Sequence, residues 1–165
     1  MYRSTKLVVC AATIVLAATI SSYADSLAGG RAAFTRGDFS RAARLLVPQA
    51  ERGNARAQAM VGFMYATGQG LPQSYDAASY WYRLSAEQGD TTAQYLLGLA
   101  YDKGHGVPLD EVAAYKWLNL AASRAPKRTR DDFARLRNAV ASKMSRGQIA
   151  VGQWHALRWP ADSQF

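Results

Sequence analysis

The chain repeats itself, and that limits its fold more than any other feature. Asn54–Gly89 and Asp90–Ala125 align without a gap at a spacing of 36 residues. Ala57, Gln58, Gly62, Tyr65, Gly68, Gly70, Pro72, Ala77, Ala78, Trp81, Leu84 and Ala86 recur as Ala93, Gln94, Gly98, Tyr101, Gly104, Gly106, Pro108, Ala113, Ala114, Trp117, Leu120 and Ala122. The shared residues are mostly glycines, small residues and aromatics, the types that set backbone shape and packing. A fixed period of this length marks supersecondary units that bury their apolar faces against their neighbours. Such a chain works as a shaped surface.

Each unit reads as two antiparallel helices. Asn54 and Asp90 are good N-cap types. Ala57, Val61, Gly62 and Tyr65, and then Ala93, Leu97, Gly98 and Tyr101, follow them at helical spacing. Gly68-Gln69-Gly70 and Gly104-His105-Gly106 end the first helices, and Pro72 and Pro108 stop them from continuing. Ser74 and Asp110 open the second helices, whose stripes carry Ala78, Trp81, Ser85 and Ala86, then Ala114, Trp117, Ala121 and Ala122. Gly62 and Gly98 stand inside helices, where glycine costs up to about 1 kcal/mol, so a close helix–helix contact is expected there.

The flanks extend the pattern. Phe39, Ala42, Ala50, Glu51 and Gly53 match Tyr75, Ala78, Ala86, Glu87 and Gly89, so residues 25–53 form a partial unit with a helix from about Ser26 to Arg36 and a tight Gly37-Asp38 turn. After Ala125 the period stops. Thr129-Arg130-Asp131-Asp132 reads as a capping sequence before the stripe Phe133, Leu136, Val140 and Met144. Ser145 and Gln148 make a capping box for a last helix carrying Ile149, Trp154 and Leu157. Residues 126–165 are therefore expected to cap the array, with the helical pair in 129–158 sealing its open face.

The first 24 residues read as an export signal. Arg3 and Lys6 precede the apolar run Leu7–Ile20, and Ser22-Tyr23-Ala24 supplies small residues at −3 and −1. An uncleaved anchor is the alternative, although the run is shorter than the ~20 residues that span a bilayer. Cleavage would remove Cys10, the sole cysteine, and lower the net charge of +8 by two. The expected location is the periplasm, with no transmembrane segment in the mature chain. A basic exported protein favours anionic polymers, lipid headgroups or acidic proteins. Nucleic acid is not an expected partner, because export takes the chain away from it.

These residues resemble the Sel1-like repeat, a relative of the tetratricopeptide repeat. The pattern stands here as Ala93, Leu97-Gly98, Tyr101, Gly104-His105-Gly106-Val107, Asp110, Ala114-Tyr115-Lys116-Trp117 and Ala121-Ala122. The preceding unit departs at Val61 for Leu and Ser74 for Asp, and the second ends on Ala125 where the pattern has Gly. The resemblance implies an all-α, short right-handed solenoid of antiparallel helix pairs, used as a protein-interaction scaffold. Exported bacterial members are often envelope adaptors or regulators.

Chemistry is sparse. His105 and His155 have no histidine or cysteine at ligand spacing, so no metal is expected. The Gly-x-Gly loops close helices and lead into prolines, unlike phosphate-binding loops, which follow a strand and open a helix. No Gly-x-Ser-x-Gly elbow occurs, and Asp131-Asp132 are neighbours that diverge by about 100° on a helix. No catalytic or cofactor-binding residue is assigned.

Two surfaces are candidate sites. If Ala57, Val61, Gly62 and Tyr65 face the core, Arg56, Met60 and Phe63 point away, and Tyr95, Leu96 and Leu99 do so one unit later. Apolar residues on an inner face suit a partner helix or extended peptide; burial under neighbouring helices is the alternative. The second surface is the basic run Arg124, Lys127, Arg128 and Arg130, continuing to Arg135 and Arg137. It reads as a solvated face or as a contact for an anionic polymer, lipid headgroup or acidic protein. Stacking of a sugar polymer on Tyr82, Tyr95 and Trp154 is a further reading.

Overall fold

A computed structural model describes residues 25–162, and among these all regular structure is helical. Helix α1 covers 25–35. It is followed by α2 (Phe39–Glu51), α3 (Ala55–Thr67), α4 (Tyr75–Glu87), α5 (Thr91–Lys103), α6 (Glu111–Arg124), α7 (Lys127–Ala141) and α8 (Arg146–Asp162). The expected signal segment, residues 1–24, lies outside the described residues.

Local chemistry starts the helices on schedule. The side chains of Asp38, Ser74 and Asp110 accept hydrogen bonds from the amides of Arg41, Ala77 and Ala113, opening α2, α4 and α6. Asn54 and Asp90 do the same for Ala57 and Ala93 at 2.9 Å, opening α3 and α5. Each such cap stabilises its helix by about 1 kcal/mol. Ser145 and Gln148 form the reciprocal capping box ahead of α8, at 3.2 and 2.8 Å.

Packing carries the same period. A Cβ placed on Gly62 would meet Tyr82 Cδ1 at 2.6 Å, and one on Gly98 would meet Leu118 Cγ at 2.7 Å. Bare backbone at these two points lets the first and second helices of each unit close together. Gln58 Nε2 donates to the Ala50 carbonyl at 3.1 Å, and Gln94 Nε2 to the Ala86 carbonyl at 3.2 Å. Both amides are buried, and each ties a first helix to the end of the preceding second helix. These two glutamines are visible in the sequence as identities, but their role emerges only from packing. Successive units share apolar clusters, one centred on Leu46, Val61 and Met64, the next on Tyr82, Leu97 and Trp117.

The array stops for a backbone reason. Gly53 and Gly89 turn the chain between units at φ +89° and +91°. The equivalent Ala125 has φ −61° and ψ 145°, so this junction is extended rather than left-handed and α7 sets off in a different direction from the first helix of a further repeat. Helix α7 then begins at Lys127 with Pro126 at its N-cap and no side-chain cap. The Thr129–Asp132 sequence is thus not the helix start. Thr129 Oγ1 donates to the Pro126 carbonyl at 3.3 Å, inside the first turn. Proline suits a helix entry because its ring presets φ and its missing N–H would be unpaired there.

The terminal helices pack differently from a simple hairpin lid. Both α7 and α8 lie chiefly against α6. Phe133 and Val140 of α7 join the apolar clusters of α6. Helix α8 approaches α6 at Gly152, where a Cβ would meet Tyr115 Cδ1 at 2.8 Å. Its buried side is Gly152, Ala156 and Trp159, with Ile149 half-buried. Trp154 and Leu157, expected to mark the apolar side of this helix, are 52% and 81% exposed.

One ion pair fastens the cap to the repeats. The Asp102 carboxylate on α5 is almost wholly buried and meets Lys143 Nζ, just beyond α7, at 2.6 Å, with Lys103 Nζ at 3.2 Å. Burial pushes the Asp102 carboxyl up, but hydrogen bonds from Lys143 and Lys103 outweigh this and hold it below the usual carboxylate value. The pair raises the Lys143 ammonium pKa in turn. A carboxylate lowered in the folded state stabilises above its unfolded pKa of ~3.9, and loses that contribution as pH falls through its folded value. Asp102→Asn is therefore expected to lower the melting temperature at pH 7, with the gap to wild type closing as pH falls below the usual carboxylate range. A gap that persists unchanged in acid would show that the carboxylate charge is not what holds the cap.

Candidate partner-binding surface

The first helices α1, α3 and α5 contribute half-buried apolar side chains to one shared face. Helix α3 is apolar nearly all round, so one side enters the core and the other does not. Phe34 of α1 meets Phe63 of α3 edge-on, with ring centroids 5.5 Å apart. Two adjoining cavities open here, each of about 220 Å3. One is framed by Phe34, Arg56, Met60, Phe63, Thr92 and Leu96. The other takes in Phe63, Tyr75, Tyr82, Leu96, Leu99 and His105. Phe63 and Leu96 line both cavities.

Five of the six residues named from the sequence meet on this face. Met60, Phe63, Leu96 and Leu99 are half-buried, and Arg56 is exposed at its edge. The Arg56 guanidinium reaches Asp90 at 3.6 Å, across the seam between units. Tyr95 goes elsewhere. Its ring stacks on Phe133 of α7, with centroids 4.3 Å apart and planes at 17°. One residue is about 100° of helix rotation, which carries Tyr95 from the groove to the cap.

The basic run divides. The Arg124 guanidinium lies 4.8 Å from the centre of the Trp159 ring. Arg130 donates twice to the Ala125 carbonyl, at 3.3 and 3.1 Å. Arg135 pairs with Asp132, and Arg137 reaches Asn119 at 3.3 Å. Lys127 and Arg128 are exposed. Much of this charge serves local structure. Of the rings considered for sugar stacking, Tyr82 is buried and Tyr95 is covered by Phe133, which leaves Trp154 open.

His105 stacks on Tyr75 beside the second cavity, with centroids 4.3 Å apart. His155 is exposed next to Trp154. Among the described residues, no group of three or more histidine, cysteine or acidic side chains is placed to hold a metal ion. No described helix is long and apolar enough to cross a membrane.

Comparison with known proteins fits this geometry. The family model described as the Sel1 repeat matches residues 55–90 and 91–125. The chain carries two Sel1 repeats. Their boundaries fall within a residue of the Asn54 and Asp90 caps, so the family unit and the structural unit coincide. A protective antigen from uropathogenic Escherichia coli with an SLR fold superposes at a TM-score of 0.75 and 24% identity, over 84% of this chain and 30% of that one. A Sel1 repeat protein from Oxalobacter formigenes gives a TM-score of 0.58 at 33% identity, over 61% of this chain and 40% of that one. The chain thus spans well under half the length of either. No curated protein sequence matches it. Sel1 repeats bind protein partners, and the fold is typically a non-enzymatic scaffold.

Proposed function

We propose that this Sel1 repeat chain is an exported adaptor or regulator that holds a helix or extended segment of another envelope protein against α1, α3 and α5. The observation that carries this reading is the pair of adjoining apolar cavities sharing Phe63 and Leu96. Two neighbouring hollows suit two apolar side chains on one face of a peptide, the usual anchor pattern of groove recognition. Binding buries those side chains in a site made of packed helices, which limits the ordering cost on the scaffold side. The net charge of +8, less the two positive charges that cleavage of the expected signal removes, favours encounter with an acidic partner and adds a salt-dependent on-rate. The exposed Lys127 and Arg128 give an anionic polymer or headgroup a secondary place to bind.

The test is in-cell crosslinking of the tagged protein followed by mass spectrometry, with Phe63→Glu/Leu96→Glu beside wild type. Carboxylates placed in an apolar contact lose hydration without gaining a partner, so recovery of the specific protein should fall tenfold or more. Circular dichroism should show the same helix content in both forms. Unchanged recovery from the folded double variant would remove the groove from the reading.

A further inference from the structure

The two repeats differ in cover at one matching surface. Trp159 of α8 seats on the second unit, in the apolar cluster that holds Trp117 and Leu120. Its ring lies 3.8 Å from where a Cβ on Gly89 would stand, and it meets Trp117 edge-on. Trp117 and Leu120 are buried there, at 6% and 5% exposure, and Gly89 is half-buried. One period earlier the same positions are Gly53, Trp81 and Leu84. Gly53 is exposed and a Cβ on it would meet nothing within 4 Å, while Trp81 and Leu84 are only half-buried. All three are thus less covered than their counterparts. The surface is built twice, and Trp159 covers it once.

The second unit therefore shows what this surface takes: a flat ring over bare glycine backbone, with its face or edge against a tryptophan. We infer that the first unit, at Gly53, Trp81 and Leu84, receives a tryptophan side chain from a segment of a partner protein, seated as Trp159 is on the second. The seat takes a ring and not a whole helix. Helix α8 also packs Gly152 onto Tyr115 of α6. The residue matching Tyr115 on α4 is Ser79, and it is already engaged, its hydroxyl donating to the Gly106 carbonyl at 2.7 Å. The hold is weaker as well. Arg124 lays its guanidinium on the Trp159 ring, 4.8 Å from its centre. The matching residue in the first unit is Gln88, which is neutral and donates to Gln58 Oε1 at 2.7 Å, so no cation supports the guest. The second unit holds the chain's own cap, and the first offers an exchangeable contact. Gly53, Trp81 and Leu84 line neither cavity of the groove, so this inference does not rest on that reading.

The probe is N-acetyl-tryptophanamide, titrated into the 15N-labelled protein beside N-acetyl-leucinamide. The tryptophan probe should shift the amide signals of Gly53 and Leu84 and the indole N–H of Trp81, and should bind about fivefold more tightly than the leucine probe. Leu84→Glu puts a carboxylate against the ring, so it should weaken the tryptophan probe about fivefold while circular dichroism stays unchanged. Trp159→Ala gives an arm that does not depend on that variant. With its own ring gone, the second unit should take the probe too, with new shifts at Gly89 and Leu120 and a melting temperature that rises as probe is added. Shifts at Gly89 and Leu120 without shifts at Gly53 and Leu84 would show that only the second unit accepts a ring, and would overturn the inference. Equal affinity for the two probes would do the same. Self-association of the wild type that Trp154→Ala abolishes would give the seat to a second copy of this chain and overturn the foreign partner.

Discussion

Gly106→Ala is expected to destabilise the protein by about 3 kcal/mol or more, a large loss for adding one methyl group. Two costs combine. Gly106 has φ +69°, a conformation that costs an L-residue about 1–2 kcal/mol. The added Cβ would also overlap the Tyr75 carbonyl oxygen and lie 2.6 Å from the Asp76 amide nitrogen. Those atoms are main chain at the start of α4, so relief requires the two repeats to move apart. The same seam holds a hydrogen bond from Ser79 Oγ to the Gly106 carbonyl at 2.7 Å, which such a movement would stretch. Gly53→Ala supplies the control. Its φ is +89°, but a Cβ there meets nothing within 4 Å, so only the conformational cost of about 1–2 kcal/mol applies. Urea unfolding of the two variants separates the terms. Equal losses would mean that the seam yields and that loop-to-helix packing does not set the spacing of the repeats.

Trp159→Ala should cost about 3–5 kcal/mol, whereas Trp154→Ala should cost less than about 0.5 kcal/mol. The two rings lie on one helix, five residues apart, in opposite environments. Trp159 is 8% exposed, meets Trp117 edge-on at 6.2 Å between centroids, and carries the Arg124 guanidinium on its face. It belongs to the apolar cluster that also holds Ala59, Tyr82 and Leu97, so its loss opens a cavity under the repeats as well as under the cap. Trp154 is half in solvent, and its ring contacts are with His155 and Arg158 of its own helix. Hydrogen exchange along α8 offers a second readout: protection should drop in Trp159→Ala and persist in Trp154→Ala. The reverse order would mean that α8 presents its other side to α6.

The groove was partly legible in the sequence. Met60 and Phe63 follow from helical phase, because the residues between Ala57 and Tyr65 that the core does not take must face outward. Leu96 and Leu99 follow from the repeat. Tyr95 did not, since its position on α5 is shared between the groove and the neighbouring α7, and only the approach of Phe133 decides which it joins. The neighbours that complete the second cavity, Tyr82 and the stacked Tyr75 and His105, come from the second helix and the loop after the next first helix. They become wall residues only when successive repeats stack.

The sequence by itself determined the repeat, its helix starts and its end. Caps act over three residues, a left-handed turn asks for glycine locally, and a 36-residue period makes each unit a check on the other. Ala125 in place of glycine marks the stop without reference to anything distant. Past that point no period remains to set the phase of a helix. The sides that α7 and α8 turn toward α6, the burial of Trp159 rather than Trp154, and the meeting of Asp102 with Lys143 were decided by tertiary structure alone. Helix α8 carries apolar residues on both sides, so local pattern offers two rotations of nearly equal merit. Close packing chose between them: Gly152 lets α8 settle against Tyr115, and that contact turns Trp159 into the core.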